Sequence, residues 1–176
     1  NSYGILPFEN SIEGMVNQSL DNLIESNLKI CSELEILVEH CLISSEKNIQ
    51  KLNTIYGHPQ ALAQCRNWLS KNLPRAKIVE TESSAKAAQL IKNKSGKGSL
   101  GPKQISEIYS LNLLKEKIQD QITNTTRFLV IGNEFPGKTS DDKTSISLSL
   151  KNEQGALLKV LQIVNKNKIN LTNILS

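Results

Sequence analysis

The chain is short of aromatic residues, with three phenylalanines, three tyrosines and one tryptophan in 176 positions, and it carries no block of like charge. Its formal net charge of +4 comes from lysines scattered among glutamates. With few rings to stack on bases and no basic stripe to follow phosphates, nucleic-acid recognition finds little support, and a diffuse positive field suits a small anionic metabolite better. Cysteine is equally sparse. Cys31, Cys41 and Cys65 are odd in number and widely spaced, which excludes a disulfide framework and the paired spacing of a zinc site and points to a reducing compartment. No apolar run approaches the roughly 18 to 20 residues that cross a bilayer, and the first residues do not read as a secretory signal. The expectation is a cytoplasmic protein with no membrane or nucleic-acid partner.

What is present is ordinary globular composition, 38% hydrophobic and 22% charged, enough for one good core or two small ones. The chain opens without methionine and enters the strand-like Tyr3-Gly4-Ile5-Leu6 at once, so further sequence is expected upstream. Residues 3–8 read as a strand stopped at Pro7, residues 9–14 as a polar turn, and residues 19–26 as a short amphipathic helix. Residues 28–42 place Leu28, Ile30, Leu34, Ile36, Val38 and Leu42 at period two, predicting one long strand that crosses between two lobes. Helices are expected at 45–52, 59–69, 83–91 and 103–118, with strands at 54–56, 76–79, 99–101 and 126–131. That alternation implies crossover units and a largely parallel sheet. Gly, Pro, Asn, Asp and Ser then gather at 132–143, a boundary, followed by a strand at 144–150, a helix at 156–165 and a strand from Ile169.

Four segments put functional side chains at strand ends or in loops, where open α/β sheets bind ligands. They are Glu9-Asn10-Ser11 with its flanks, Gly57-His58-Pro59-Gln60-Ala61 running on to Gln64, Asn124-Thr125-Thr126-Arg127-Phe128, and Gly155-Ala156-Leu157 with Ile169-Asn170-Leu171-Thr172. Taken alone, each has a plain structural reading: a turn for Asn10, a solvated helix face for Gln64, strand propensity for Thr126. Together and in this order they resemble the prephenate dehydratases, whose signatures are a Glu-Asn-Ser turn, a His-Pro-Gln-Ala segment and a Thr-Arg-Phe strand.

That resemblance implies loss of water and carbon dioxide from prephenate to give phenylpyruvate, with no metal and no organic cofactor. It implies Thr126 as the group that assists hydroxyl departure, with the amides Asn10 and Gln64 as further catalytic residues. Ser11, Gly57, His58 and Arg127 are implied as substrate contacts. Three of these positions carry a competing physical reading. Gly57 stands where the family usually has serine, leaving a backbone amide or a water in place of a hydroxyl. His58 has no nucleophile at a recognisable spacing and reads as a loop residue ahead of Pro59 at a helix start. Strand alternation turns Arg127 away from Thr126, so a structural salt bridge competes with a carboxylate clamp. Glu9 and Glu13 read as structural, because a carboxylate would repel a dianionic substrate.

The C-terminal segment resembles an ACT regulatory domain, which implies phenylalanine binding at Gly155, Ala156, Leu157 and Asn170 and feedback inhibition. The family's Glu-Ser-Arg-Pro segment would start at Leu175, with its glutamate replaced. The fold class expected is therefore α/β: a two-lobed catalytic domain resembling type II periplasmic binding proteins at 1–132, with a middle lobe at about 18–103. A linker at 133–143 and a partial ferredoxin-like α+β ACT domain at 144–176 follow, the chain being truncated at both ends. A homodimer or homotetramer is expected through the ACT units. The rival readings are an arogenate dehydratase, a binding module without turnover, and an amino-acid sensor.

Overall fold

The computed structural model describes residues 2–174. The chain divides into two compact units, Asn1–Pro136 and Gly137–Ser176. The first unit contains two sheets, and its chain passes from one to the other and back.

The first sheet is wholly antiparallel, in the order β2 (Gly14–Met15), β1 (Gly4–Asn10), β9 (Thr125–Gly132), β3 (Lys29–Leu37). Pro7 does not stop β1, contrary to the sequence expectation. It lies opposite Phe128, while β2 pairs only with Glu9 and Asn10, so the edge where a proline lacks its donor is open. A register shift between Pro7 and Glu9 takes up the distortion. Helix α1 (Asn17–Glu25) returns the chain to β3.

The period-two stretch at 28–42 forms two strands instead of one. β3 ends at Leu37, and β4 (Cys41–Ser44) begins in the second sheet. The break at 38–40 is held by partners distant in sequence: the Val38 N–H donates to the Asn124 carbonyl (2.8 Å), and the Ile118 N–H donates to the His40 carbonyl (2.9 Å). The outward and return crossings thus run side by side.

The second sheet has the order β6 (Lys77–Glu80), β5 (Thr54–Gly57), β7 (Lys97–Gly101), β4, β8 (Asn112–Lys115). Only β6, β5 and β7 are mutually parallel, whereas β4 is antiparallel to both neighbours. The sheet is therefore mixed, not largely parallel. β8 takes the place of the second half of a helix expected at 103–118. Helix α5 (Gln104–Tyr109) stops at Ser110, whose φ of 54° is left-handed, and Leu111 and Leu113 then pack on the buried group Cys41, Ile43, Ala88 and Ile105. Tertiary burial here overrides local helical periodicity.

The helix expected at 45–52 is reduced to one 3₁₀ turn, Ile49–Lys51. Its first residues are committed elsewhere: Asn112 Nδ2 donates to the carbonyls of Ser45 and Glu46, and the Glu46 carboxylate accepts from Ser95 Oγ and the Gly96 N–H. These two hydrogen bonds hold the Glu46 carboxyl below its ordinary pKa. The helix expected at 59–69 is two, α2 (Pro59–Gln64) and α3 (Arg66–Asn72), separated at Cys65. Asp120 caps the second from a distance, accepting from the N–H groups of Asn67 and Trp68. Helix α4 (Ser84–Ile91) begins at Ser83, whose hydroxyl accepts from the Lys86 N–H as an N-cap should. The main core joins Leu42, Ile55, Leu62, Cys65, Leu69, Leu100 and Ile118.

In the second unit α6 (Ala156–Lys166) forms as the periodicity predicts, entered through Gly155 at a φ of 81°. The strands expected at 144–150 and from Ile169 do not form among the described residues. A strand needs a hydrogen-bonded neighbour, and no ladder reaches either segment. The segment beginning at Leu175 lies outside the described residues. No helix among them is long and apolar enough to cross a membrane.

Candidate active site

Where the two crossings meet, neutral polar side chains join into one hydrogen-bonded group. Asn10 ends β1, Thr126 lies opposite it on β9, and Asn124 occupies the return crossing. Asn10 Nδ2 donates to Thr126 Oγ1 (2.9 Å), to Asn124 Oδ1 (2.8 Å) and to the Thr125 carbonyl (3.2 Å). Asn124, only 1% exposed, donates through Nδ2 to Gln64 Oε1 (3.1 Å) at the end of α2. Asn10, Gln64 and Thr126, separated by as many as 116 positions, are thereby brought together.

The backbone fixes the direction of these bonds. Asn10 Oδ1 accepts from the N–H groups of Ile12 (3.0 Å) and Glu13 (3.1 Å), which can only donate. That sets which end of the Asn10 amide is oxygen, and each partner follows in turn: Asn124 must accept through Oδ1, leaving its Nδ2 to donate. Thr126 Oγ1 is an acceptor from Asn10, so its own O–H is available to another group. Gln64 Oε1 accepts from Asn124 and contacts His40 Nε2 (2.8 Å). Its Nε2 lies 3.5 Å from Glu13 Oε1, and Glu13 Oε2 takes a stronger bond from Gln60 Nε2 (2.5 Å).

The other residues singled out from sequence occupy different positions. Ser11 locks the turn to the return crossing: its Oγ accepts from the Thr125 N–H (2.9 Å), and its own N–H donates to the Thr125 carbonyl (2.9 Å). The structure does not bring Arg127 to the cluster. It projects from the opposite face of β9, where Nε donates to Glu33 (2.8 Å), an Nη to Glu9 (3.3 Å), and the guanidinium lies 5.3 Å from the centre of the Phe8 ring. Alternation along the strand is the cause. His58 caps α2, its Nδ1 accepting from the Gln60 N–H at 3.4 Å. It also lines an open depression of about 440 Å³ with Glu80, Glu82 and Lys86.

Gly57 is buried at the end of β5, and a Cβ there would lie 3.1 Å from Leu62 Cγ and 3.4 Å from Leu100 Cβ. A side chain at this position needs Leu62 to give way by a few tenths of an ångström. Gly155, Ala156 and Leu157 form the entry to α6 and Asn170 follows that helix, all in the second unit. Burial pushes the Cys65 thiol up to about 12 and raises that of Cys41. Neither is a nucleophile. Among the described residues no group of three or more His, Cys, Asp and Glu side chains is placed to hold a metal.

The family profile described as prephenate dehydratase matches residues 1–136, the whole of the first unit. The chain belongs to the prephenate dehydratase family. It is 44% identical over 172 residues to the bifunctional chorismate mutase/prephenate dehydratase of Aquifex aeolicus, covering 98% of this chain and 48% of that protein. With the prephenate dehydratase of Methanocaldococcus jannaschii the identity is 40% over 180 residues, covering 99% and 65% respectively. The solved prephenate dehydratase of Arthrobacter aurescens, in complex with L-Phe, superposes with a TM-score of 0.80 at 26% identity, over 99% of this chain and 60% of that one. The chain thus spans about half the length of the bifunctional relatives it matches. Within this prephenate dehydratase unit, sequence reading passed over two members of the cluster, Asn124 as a bonding centre and His40. One signal was available for His40: a polar residue directly before the apolar run Cys41-Leu42-Ile43.

Proposed function

We propose that the protein converts prephenate to phenylpyruvate, with Thr126 assisting departure of the ring hydroxyl and Asn10 and Gln64 orienting and supporting it. In this reaction the electron pair of the carbon–carboxylate bond moves into the ring as carbon dioxide leaves. The carbon–oxygen bond to the hydroxyl breaks, and the departing oxygen gains a proton to become water. Aromatisation drives the exchange. What the protein must supply is a donor at the departing oxygen and neutral or positive groups beside two carboxylates.

The observation that carries the reading is the Asn10–Thr126 bond. Because Asn10 Nδ2 can only donate in its contact with Thr126 Oγ1, the threonine O–H is left for another group and negative charge building on Oγ1 has a donor beside it. That is the support a hydroxyl needs to act as an acid near neutral pH. Gln64 Oε1 is already occupied and one Nε2 hydrogen faces Glu13 Oε1 at 3.5 Å, so the group Gln64 offers a ligand is its remaining N–H, which suits an anion. Ser11 contributes by holding the turn, and Gly57 and His58 by the backbone and cap at the start of α2. Arg127 serves the sheet.

The proposal extends to control. The second unit is read as part of an ACT domain that places Gly155, Ala156, Leu157 and Asn170 at a phenylalanine site and joins subunits as a dimer or tetramer. The left-handed Gly155 at the head of the 11-residue α6 supports that reading, as does the L-Phe complex of the Arthrobacter relative. The catalytic unit is read as two lobes of the periplasmic-binding type in a cytoplasmic enzyme. The test is phenylpyruvate formation by the full-length protein at neutral to mildly alkaline pH, where prephenate does not decay to the same product unaided. Thr126→Ala is expected to lower kcat by at least about 100-fold with the fold retained. A folded protein that binds prephenate without converting it overturns the assignment in favour of a binding module, and turnover of arogenate alone shifts the substrate.

A further inference from the structure

At the far end of the cluster from Thr126, the His40 imidazole lies against Gln64, with Nε2 at 2.8 Å from Oε1. The backbone anchor at Asn10 determines that Gln64 presents oxygen to this contact: Ile12 and Glu13 N–H fix Asn10, Asn10 fixes Asn124, and Asn124 Nδ2 requires an acceptor on Gln64. His40 Nε2 must therefore carry a hydrogen. The other nitrogen agrees, because Nδ1 is buried without a hydrogen-bond partner. A bare ring nitrogen tolerates that position better than a buried N–H would. The His40 backbone is anchored as well, its N–H donating to Gln119 Oε1 (3.0 Å) and its carbonyl accepting from the Ile118 N–H (2.9 Å).

We infer that His40 is a positioning residue, whose Nε2–H holds the Gln64 amide with its oxygen turned inward and its N–H₂ toward the substrate. The inference rests on the dehydratase reading for its substrate and on geometry for everything else. An amide turns over readily when only one of its atoms is held. With both His40 and Asn124 donating to Oε1, the inverted amide would set two donors against N–H₂, so it is excluded. Without His40 one of the two donors to Oε1 is gone; Asn124 still favours the same orientation, but the amide is held less firmly, and any inverted fraction presents a carbonyl to a dianion in place of a donor. The consequence falls on the reacting geometry more than on overall binding.

The first measurement is the ¹⁵N spectrum of the His40 ring in the folded protein, which is independent of turnover. A proton on Nε2 with Nδ1 bare is expected; the reverse tautomer overturns the inference. The second compares His40→Leu, which fills space without a donor, with His40→Gln, which returns an N–H near the reach of Nε2. His40→Leu is expected to lower kcat roughly 10- to 100-fold with KM changed by less than about 3-fold, and His40→Gln to recover most of it. Equal loss in both folded variants, or none in His40→Leu, makes the ring a packing element and overturns the inference. If the unmodified protein fails to convert prephenate, the dehydratase reading falls, while the ring spectrum still decides whether His40 orients Gln64.

Discussion

Replacing Asn124 by alanine tests the cluster at its centre. Its side chain is essentially inaccessible and makes two good bonds, from Asn10 Nδ2 at 2.8 Å and to Gln64 Oε1 at 3.1 Å. Each is a neutral hydrogen bond contributing about 1 kcal/mol net. The partners are not stranded by the change, since Asn10 Nδ2 keeps Thr126 and Thr125 and Gln64 Oε1 keeps His40. That places the penalty for unpaired groups at the low end, and the small void left by the amide adds to it. The expected destabilisation is about 2 to 3 kcal/mol. With a urea slope of about 2 kcal/mol per molar for a unit of this size, the midpoint falls by roughly 1 to 1.5 M. The fluorescence of Trp68, the single tryptophan, reports unfolding of the first unit, because it lies on α3 beside the core. A midpoint within about 0.3 M of the unmodified protein would show that the amide bonds contribute nothing net, and the argument for a fixed donor direction would go with them.

Two other outcomes follow from neighbouring groups. The Cys65 thiol, raised from about 9 to about 12 by burial, stays protonated in the folded chain while the unfolded chain ionises. Its contribution is therefore full below pH 9 and is lost as pH rises from about 9 to about 12, at up to about 1.4 kcal/mol per pH unit. Urea midpoints measured across that range should fall less steeply for Cys65→Ala than for the unmodified protein; parallel slopes refute the assignment. Arg127→Leu should cost about 1 to 2 kcal/mol through its partly buried pairs with Glu9 and Glu33 and its contact with Phe8. KM for prephenate should stay within about 2-fold, and a large rise in KM at unchanged stability would restore the carboxylate clamp.

The elements legible in the sequence were those whose pattern is local. Ser83 before Ala87, Ala88 and Ile91 announces α4, and Pro59 announces the start of α2. What local pattern does not encode is which sheet a strand joins. Val38 continues the alternation of β3 without interruption, yet the chain leaves that sheet at Leu37 because Asn124 and Ile118 bind the crossing. The period is informative even where burial does not follow it: Leu34 and Ile36 keep the alternation but are 44% and 52% exposed. Residues 111–115 are apolar enough for a helix and become a strand because β4 offers an edge. At the site, Asn10, Gln64 and Thr126 were accessible through motifs. Asn124 and His40 were not, since a buried hydrogen-bonding centre has no period and acquires its role only from groups that folding brings to it.

The cluster's neutrality has its own logic. Carboxylates sit close by, and most of their bonding lies elsewhere: Glu13 accepts from Gln60 at 2.5 Å and only at 3.5 Å from Gln64, and Glu9 and Glu33 hold Arg127 behind the sheet. On the proposed function, a dianion approaching Thr126 meets amides and a hydroxyl whose donor ends trace back to the backbone N–H groups of Ile12 and Glu13. Charge would bind it more strongly, but a strong attraction for the carboxylates would also resist the loss of one of them as neutral carbon dioxide. In the proposed reaction, donors fixed in direction and lacking net charge stabilise the departing oxygen without holding the departing carboxylate in its ionised ground state, and that balance would distinguish such a site from a tight anion receptor.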